Sequence, residues 1–147
     1  MIGNHSQYLV PWAHPVTMDW EKPKGWPGVI HREGRTLVRV SERPNSQMTG
    51  PVSRRGGGVF LNPAMSGSRT RSVLLFDHAI ESGILGEGTV YALDGLAAGG
   101  IRARRWLNEI SEDNAKRLDV TISDLDGEAI DWAIGNHRDF PPLHGKG

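Results

Sequence analysis

The sequence predicts an α/β fold of the doubly wound kind, on the order of its second half. A short β-branched and apolar run, Thr89-Val90-Tyr91-Ala92-Leu93, opens onto a glycine turn, Asp94-Gly95-Leu96-Ala97-Ala98-Gly99-Gly100. A helical pattern follows from about Ile101 to Ile110, and a second strand, Leu118 to Ser123, ends in Asp124-Leu125-Asp126. Gly127 and Glu128 then open a last helix to about Asn136. Strand, glycine turn, helix, strand, acid, helix is how a doubly wound sheet begins, because parallel strands need a helical crossover between them.

The elements ahead of this unit are read in turn. Residues 1–27 hold Pro11, Pro15, Pro23 and Pro27 with Trp12, Trp20 and Trp26, a pattern with neither helical nor strand period, and are expected to form a poorly ordered arm. From there, residues 28–147 are read as the N-terminal part of one domain. Val29-Ile30 and Leu37-Val38-Arg39-Val40 flank a turn at Glu33-Gly34 and predict a hairpin, while Arg43 to Gly58 is a Pro-, Ser- and Gly-rich loop. Val59-Phe60-Leu61 is expected to add a short strand. Ser68 to Ser82 predicts a helix, since Val73, Phe76, Ala79 and Ile80 share a face that Leu74 and Leu75 would widen, and Gly83 supplies the stop. Phe140 to Gly147 is expected to be a frayed tail.

Composition narrows the function classes. The 147 residues suffice for about one domain, with 37% hydrophobic and 23% charged residues, and the 19 Gly and 9 Pro mark much of the chain as loop. Without cysteine there is no disulfide framework, thiolate zinc site or cysteine nucleophile, and the six histidines have no metal-ligand spacing. No apolar run approaches the ~18 residues that span a bilayer, and the N-terminus lacks a secretory pattern, so a cytoplasmic protein without a membrane partner is expected. Net charge is zero but unevenly spread. Gly28 to Arg71 carries eight arginines against Glu33 and Glu42, a formal +6, whereas Leu107 to Asp131 carries eight acids against Lys116 and Arg117, a formal −6. A basic first half fits an RNA partner and equally a solvated surface. Arg54-Arg55-Gly56-Gly57-Gly58 is open to the same two readings. Arg104 and Arg105 are read as the solvated face of their helix, and Trp106 and Trp132 as core.

The glycine turn carries the chemistry. A strand that feeds a helix through such a turn brings backbone N–H groups and a helix N-terminus to the carboxyl edge of the sheet. An acid ending the next strand can accept both hydroxyls of a ribose, and Asp124, 24 residues after Gly100, lies close to the ~20-residue offset of that contact. The dinucleotide fingerprint needs Gly at its third position, where this chain has Ala97, so a nicotinamide or flavin dehydrogenase is disfavoured. The turn through Gly99, with an acid at its start, instead suits S-adenosylmethionine. Its amino acid end carries an ammonium for Asp94 and a carboxylate for Arg102 in the first helical turn. The alternative for Asp124 is an ordinary N-cap of the helix after it.

Three motifs in order resemble the tRNA guanine-26 N2-dimethyltransferase family. Phe60-Leu61-Asn62-Pro63, Met65 and Arg69 are similar to the family's aromatic, Asn-Pro-x-Met and Arg-Asp pattern ahead of an apolar helix. Leu93-Asp94-Gly95-Leu96-Ala97-Ala98-Gly99-Gly100-Ile101-Arg102 is similar to its Leu-Asp-x-Leu-(Ser/Ala)-Ala-x-Gly-Ile-Arg, and Val120 to Asp124, with Glu128-Ala129 and Asn136 following, to its Asn-Asp-Ile-Ser-x-Glu-Ala. Departures are Leu61 for an aromatic, Ser68 for Asn, Thr70 for the Asp beside the arginine, and Ser123 for Asn.

The resemblance implies a Rossmann-like class I methyltransferase fold in its first strands and helices only, preceded by a small hairpin region. It also implies that Arg69, Arg102 and Asp124 contact S-adenosylmethionine, that tRNA is the partner rather than DNA, and that the methyl acceptor is the exocyclic amine of a guanine. For Arg69 to reach the cofactor, the N-terminus of its helix is expected to lie at the glycine turn. The family's Asp-Pro-x-Gly catalytic segment follows a fourth strand, expected beyond Gly147, so no catalytic residue is assigned and the chain alone is expected to be inactive. Asp139-Phe140-Pro141-Pro142 has the wrong order for that segment and reads as a Pro-terminated helix end. The rival readings are another S-adenosylmethionine-dependent methyltransferase, which would need no Asn62-to-Arg69 segment, and a binding-only module.

Overall fold

Two short runs with alternating apolar residues, separated by a helix, pair side by side and set the core. The computed structural model describes residues 10–11, 20–42, 59 and 61–144. In chain order the elements are β1 (Val10–Pro11), β2 (Val29–Glu33), β3 (Thr36–Val40), a 3-10 turn (Pro63–Met65), α1 (Ser66–Glu81), β4 (Val90–Asp94), α2 (Ile101–Glu109), α3 (Glu112–Ala115), β5 (Leu118–Ile122) and α4 (Gly127–Asp139). This is a mixed α/β arrangement with two small sheets. In the first, β5 is central, with β4 parallel on one side and β1 antiparallel on the other, and β2 and β3 form a separate hairpin.

Register follows the hydrophobic pattern. Val90 sits opposite Leu118, Ala92 opposite Val120 and Asp94 opposite Ile122, so that the buried residues of both strands share one face. Against that face pack Val73 and Ile80 of α1, Ala103, Trp106 and Leu107 of α2, and Ile130 and Ala133 of α4. Trp106 is fixed from both ends, since its ring meets Phe76 edge-on at 5.3 Å and its Nε1–H donates to the Ser72 hydroxyl. Asp77 of α1 accepts from the Ser111 backbone and hydroxyl and from Asn114, which ties α3 to the bundle.

Several expectations are corrected. Leu74 and Leu75 do not widen the inner face of α1; both are exposed, because only the Val73, Phe76 and Ile80 stripe meets α2 and the sheet. Val59 and Leu61 are buried without belonging to a strand. Of the arm expected to be poorly ordered, residues 20–27 are docked: the Trp20 Nε1–H donates to the Asp131 carbonyl, and Trp26 packs 5.5 Å from Trp20 and 5.1 Å from Trp132. Gly135 makes this possible, since a Cβ there would stand 2.5 Å from the Trp26 ring. The tail is tied down at least to Leu143, whose N–H donates to Asn108, while the Phe140 carbonyl accepts from Arg104. The arginine-glycine stretch 54–58 lies outside the described residues. No helix among the described residues is long and apolar enough to cross a membrane.

Candidate functional site

Parallel pairing brings the ends of β4 and β5 to one edge, where the sequence places Asp94 and Asp124. Both acids are buried, at 7% and 8% exposure. The chain between them is cross-braced: Ser123 N–H donates to the Asp94 carbonyl at 2.9 Å and Ala97 N–H to the Ser123 carbonyl at 3.0 Å. Asp124 holds the glycine turn directly, accepting from Ala98 N–H at 2.9 Å with one oxygen and from Asp126 N–H at 3.0 Å with the other. It is not the N-cap of α4. Asp126 takes that role, accepting from Glu128 N–H, so Asp124's structural part is to hold the turn rather than to cap the helix.

The turn is shaped for close approach. Ala98, with φ +46°, adopts the left-handed conformation that a Cβ disfavours, and Gly100, with φ +79°, caps α2 in the same region without a side-chain hydrogen bond. Gly99 is packed against Val59, and its carbonyl accepts from Asn136 Nδ2.

Asp94 faces the N-terminus of α2. Burial pushes its carboxyl above the usual carboxylate range, and Asp124 adds to this; the Arg102 guanidinium and the Ala103 N–H pull the other way. Its Oδ2 is buried and has no hydrogen-bond partner among the described residues. Such an acceptor is costly unless something donates to it. The site thus offers two carboxylates and one half-buried arginine, a local excess of negative charge. The helix N-terminus that would hold a phosphate already faces a carboxylate.

Asp94, Gly99, Arg102 and Asp124 are therefore brought to one edge. Arg69 is placed differently from the expectation that it grips a ligand. Its Nε and Nη2 donate to the two Glu33 oxygens at 2.7 and 2.6 Å, and Nη2 also to the Asn62 carbonyl at 3.1 Å. Glu33 is shared with Arg105, whose Nη1 lies 2.8 Å away, and Arg105 turns its other edge to Glu109 at 3.0 and 2.6 Å. The start of α1 meets α2 at Arg105, which donates to the Ser66 carbonyl and the Thr70 hydroxyl. Its contact is one turn along α2 from Arg102, not at the glycine turn.

Arg104 and Arg105 are not a solvated face, being buried at 1% and 3% exposure. The hairpin and the tail cover the side of α2 that local sequence leaves open. Sequence reading missed Glu33, taking it for a turn residue. No local signal identifies it: the arginine at position 69 lacks the neighbouring acid, and the Arg105 to Glu109 spacing points only to an ion pair along α2. No family model, no curated protein and no solved structure matches the chain.

Proposed function

We propose that the chain binds S-adenosylmethionine at the edge formed by Asp94, Gly99, Arg102 and Asp124, as the cofactor-binding part of a tRNA guanine-26 N2-methyltransferase with a Rossmann-like fold. The observation that carries the cofactor reading is the buried Asp94 carboxylate, one oxygen of which has no hydrogen-bond partner among the described residues, set against the N-terminus of α2 beside Asp124. A dinucleotide would bring phosphate charge to that point and meet repulsion. S-adenosylmethionine, with a sulfonium and an ammonium against one carboxylate, brings net positive charge and an ammonium that can donate to Asp94 Oδ2.

The residues divide the ligand between them. Asp124 keeps lone pairs beyond the two backbone bonds it accepts, and these suit the ribose hydroxyls. Arg102 offers a fork to the amino acid carboxylate. Arg69 stands behind the site, holding Glu33 and through it Arg105 on α2. When bound, the cofactor supplies an electrophilic methyl. This chain's part is to fix the ligand's two ends, so that the methyl has one position in space. The tRNA substrate rests on the motif resemblance, and extrusion of the guanine with alignment of its weakly nucleophilic amine is assigned to the whole enzyme rather than to residues of this chain.

Asp124→Asn tests the assignment. It is expected to weaken S-adenosylhomocysteine binding by about 1.5–3 kcal/mol, the scale of a hydrogen bond to a charged group, in isothermal calorimetry. An unchanged affinity would leave Asp124 with only the task of holding the Ala98 and Asp126 backbone.

A further inference from the structure

Asn136 of α4 has no exposed surface, and its hydrogen bonds go to the backbone of two separate segments. Its Oδ1 accepts from the Arg39 N–H, and its Nδ2 donates to the Arg39 carbonyl at 3.1 Å and to the Gly99 carbonyl at 3.3 Å. With the first two bonds the amide acts toward β3 as a neighbouring strand would, serving both backbone groups of one residue. Only a primary amide combines the acceptor and the two donors that the three bonds require.

Clamping the hairpin needs only the bonds to Arg39. The third reaches the glycine turn and draws the Gly99 carbonyl toward α4, on the side where Val59 also presses. The other end of the same planar peptide is held as well, since Gly100 N–H donates to the Ala97 carbonyl at 2.8 Å. Asp94 lies at the start of this turn and Arg102 just after it, so the orientation of the 99–100 peptide sets how those two side chains stand to each other.

We propose that Asn136 is a positioning residue for the cofactor site: by holding the Gly99 carbonyl it fixes the turn so that Asp94 and Arg102 engage the two ends of the ligand's amino acid portion together. The inference rests on the S-adenosylmethionine reading and adds to it a residue that touches no ligand. It separates the two halves of the site, because the ribose is read by Asp124, which holds the turn through Ala98 and not through Gly99.

The test uses the full chain and two probes, S-adenosylhomocysteine, which carries the amino acid end, and adenosine, which does not. Asn136→Asp keeps an acceptor, loses both donors and sets a carboxylate against two carbonyls. It is expected to weaken S-adenosylhomocysteine about tenfold, the scale of one net hydrogen bond, while adenosine affinity changes little. Gly99→Ala approaches the same contact from the other side: its Cβ would stand 3.2 Å from Val59 Cγ2 and 3.7 Å from Asn136 Nδ2. It is expected to show the same selective loss, and it carries the test alone if Asn136→Asp does not fold. Equal losses for the two probes, or unchanged S-adenosylhomocysteine binding in a folded variant, would overturn the positioning role. A wild-type chain that binds neither probe would instead overturn the cofactor reading beneath it.

Discussion

Glu33→Ala is expected to destabilise the chain by about 3–5 kcal/mol, the range for removing one partner of a buried ion pair. The Glu33 carboxylate lies between the Arg69 and Arg105 guanidiniums, at 2.6 and 2.8 Å, with side chains 6%, 6% and 4% exposed. Its loss leaves two buried cations with Glu109 as the remaining anion of the group. The same carboxylate joins the hairpin to the start of α1 and the middle of α2, so the cost is spread over the whole interface between them.

A pH dependence follows from the same group. Burial alone would raise the Glu33 carboxyl, but the hydrogen bonds and charges of Arg69 and Arg105 outweigh it and hold its pKa below the ordinary value of 4.5. A depressed carboxylate contributes stability that is fully present above its unfolded pKa and is lost as pH falls through its folded value. Urea melts at stepped pH should therefore show the gap between wild type and Glu33→Gln constant at neutral pH and shrinking below about pH 4.5. A gap that does not change with pH would mean that the carboxylate's charge contributes nothing to the interface.

Trp132→Ala is expected to cost about 3–5 kcal/mol, the scale of deleting a fully buried aromatic. The ring is 0% exposed and lies among Val59, Ala129, Val40, Ala98 and Trp26, joining α4 to the hairpin, the glycine turn and the docked segment before it. Its Nε1 is buried without a hydrogen-bond partner among the described residues, so Trp132→Phe forfeits packing volume but no hydrogen bond and should retain most of the stability. Chemical denaturation of both variants, followed by circular dichroism, checks the pair. Equal destabilisation would show that a phenyl ring recovers none of the packing and would contradict the packing argument.

The legible parts of the fold were those fixed by local period. The hairpin from Val29 to Val40, the helices at Ser66–Glu81 and Ile101–Glu109, and the strand ending at Ile122 follow from alternation, helical spacing and glycine stops. Trp106 and Trp132 were legible as core because each is an apolar residue inside a helix. What local pattern does not carry is which face a tertiary neighbour covers. Arg104 and Arg105 look solvated until the hairpin, whose Glu33 lies 72 residues before Arg105, and the tail after α4 close over them. Leu74 and Leu75 look buried until α1 is seen to pack through one stripe only. At the site, the offset from Gly100 to Asp124 is a sequence quantity, and the structure sets Asp124 against the turn. The partner of Arg69 is not, because Glu33 lies 36 residues away and meets it only through the fold.

On the proposed reading, two buried carboxylates at the strand ends and Arg102 in the first turn of α2 select a cationic nucleoside over a phosphate-bearing one. Calorimetric titration of the full chain with S-adenosylmethionine and, separately, with NADH tests it most directly. The expected result is saturable binding of S-adenosylmethionine that weakens as pH is lowered and Asp94 takes up a proton, with no NADH binding under the same conditions. NADH binding in preference to S-adenosylmethionine, or S-adenosylmethionine binding that is insensitive to Asp94→Asn, would contradict it.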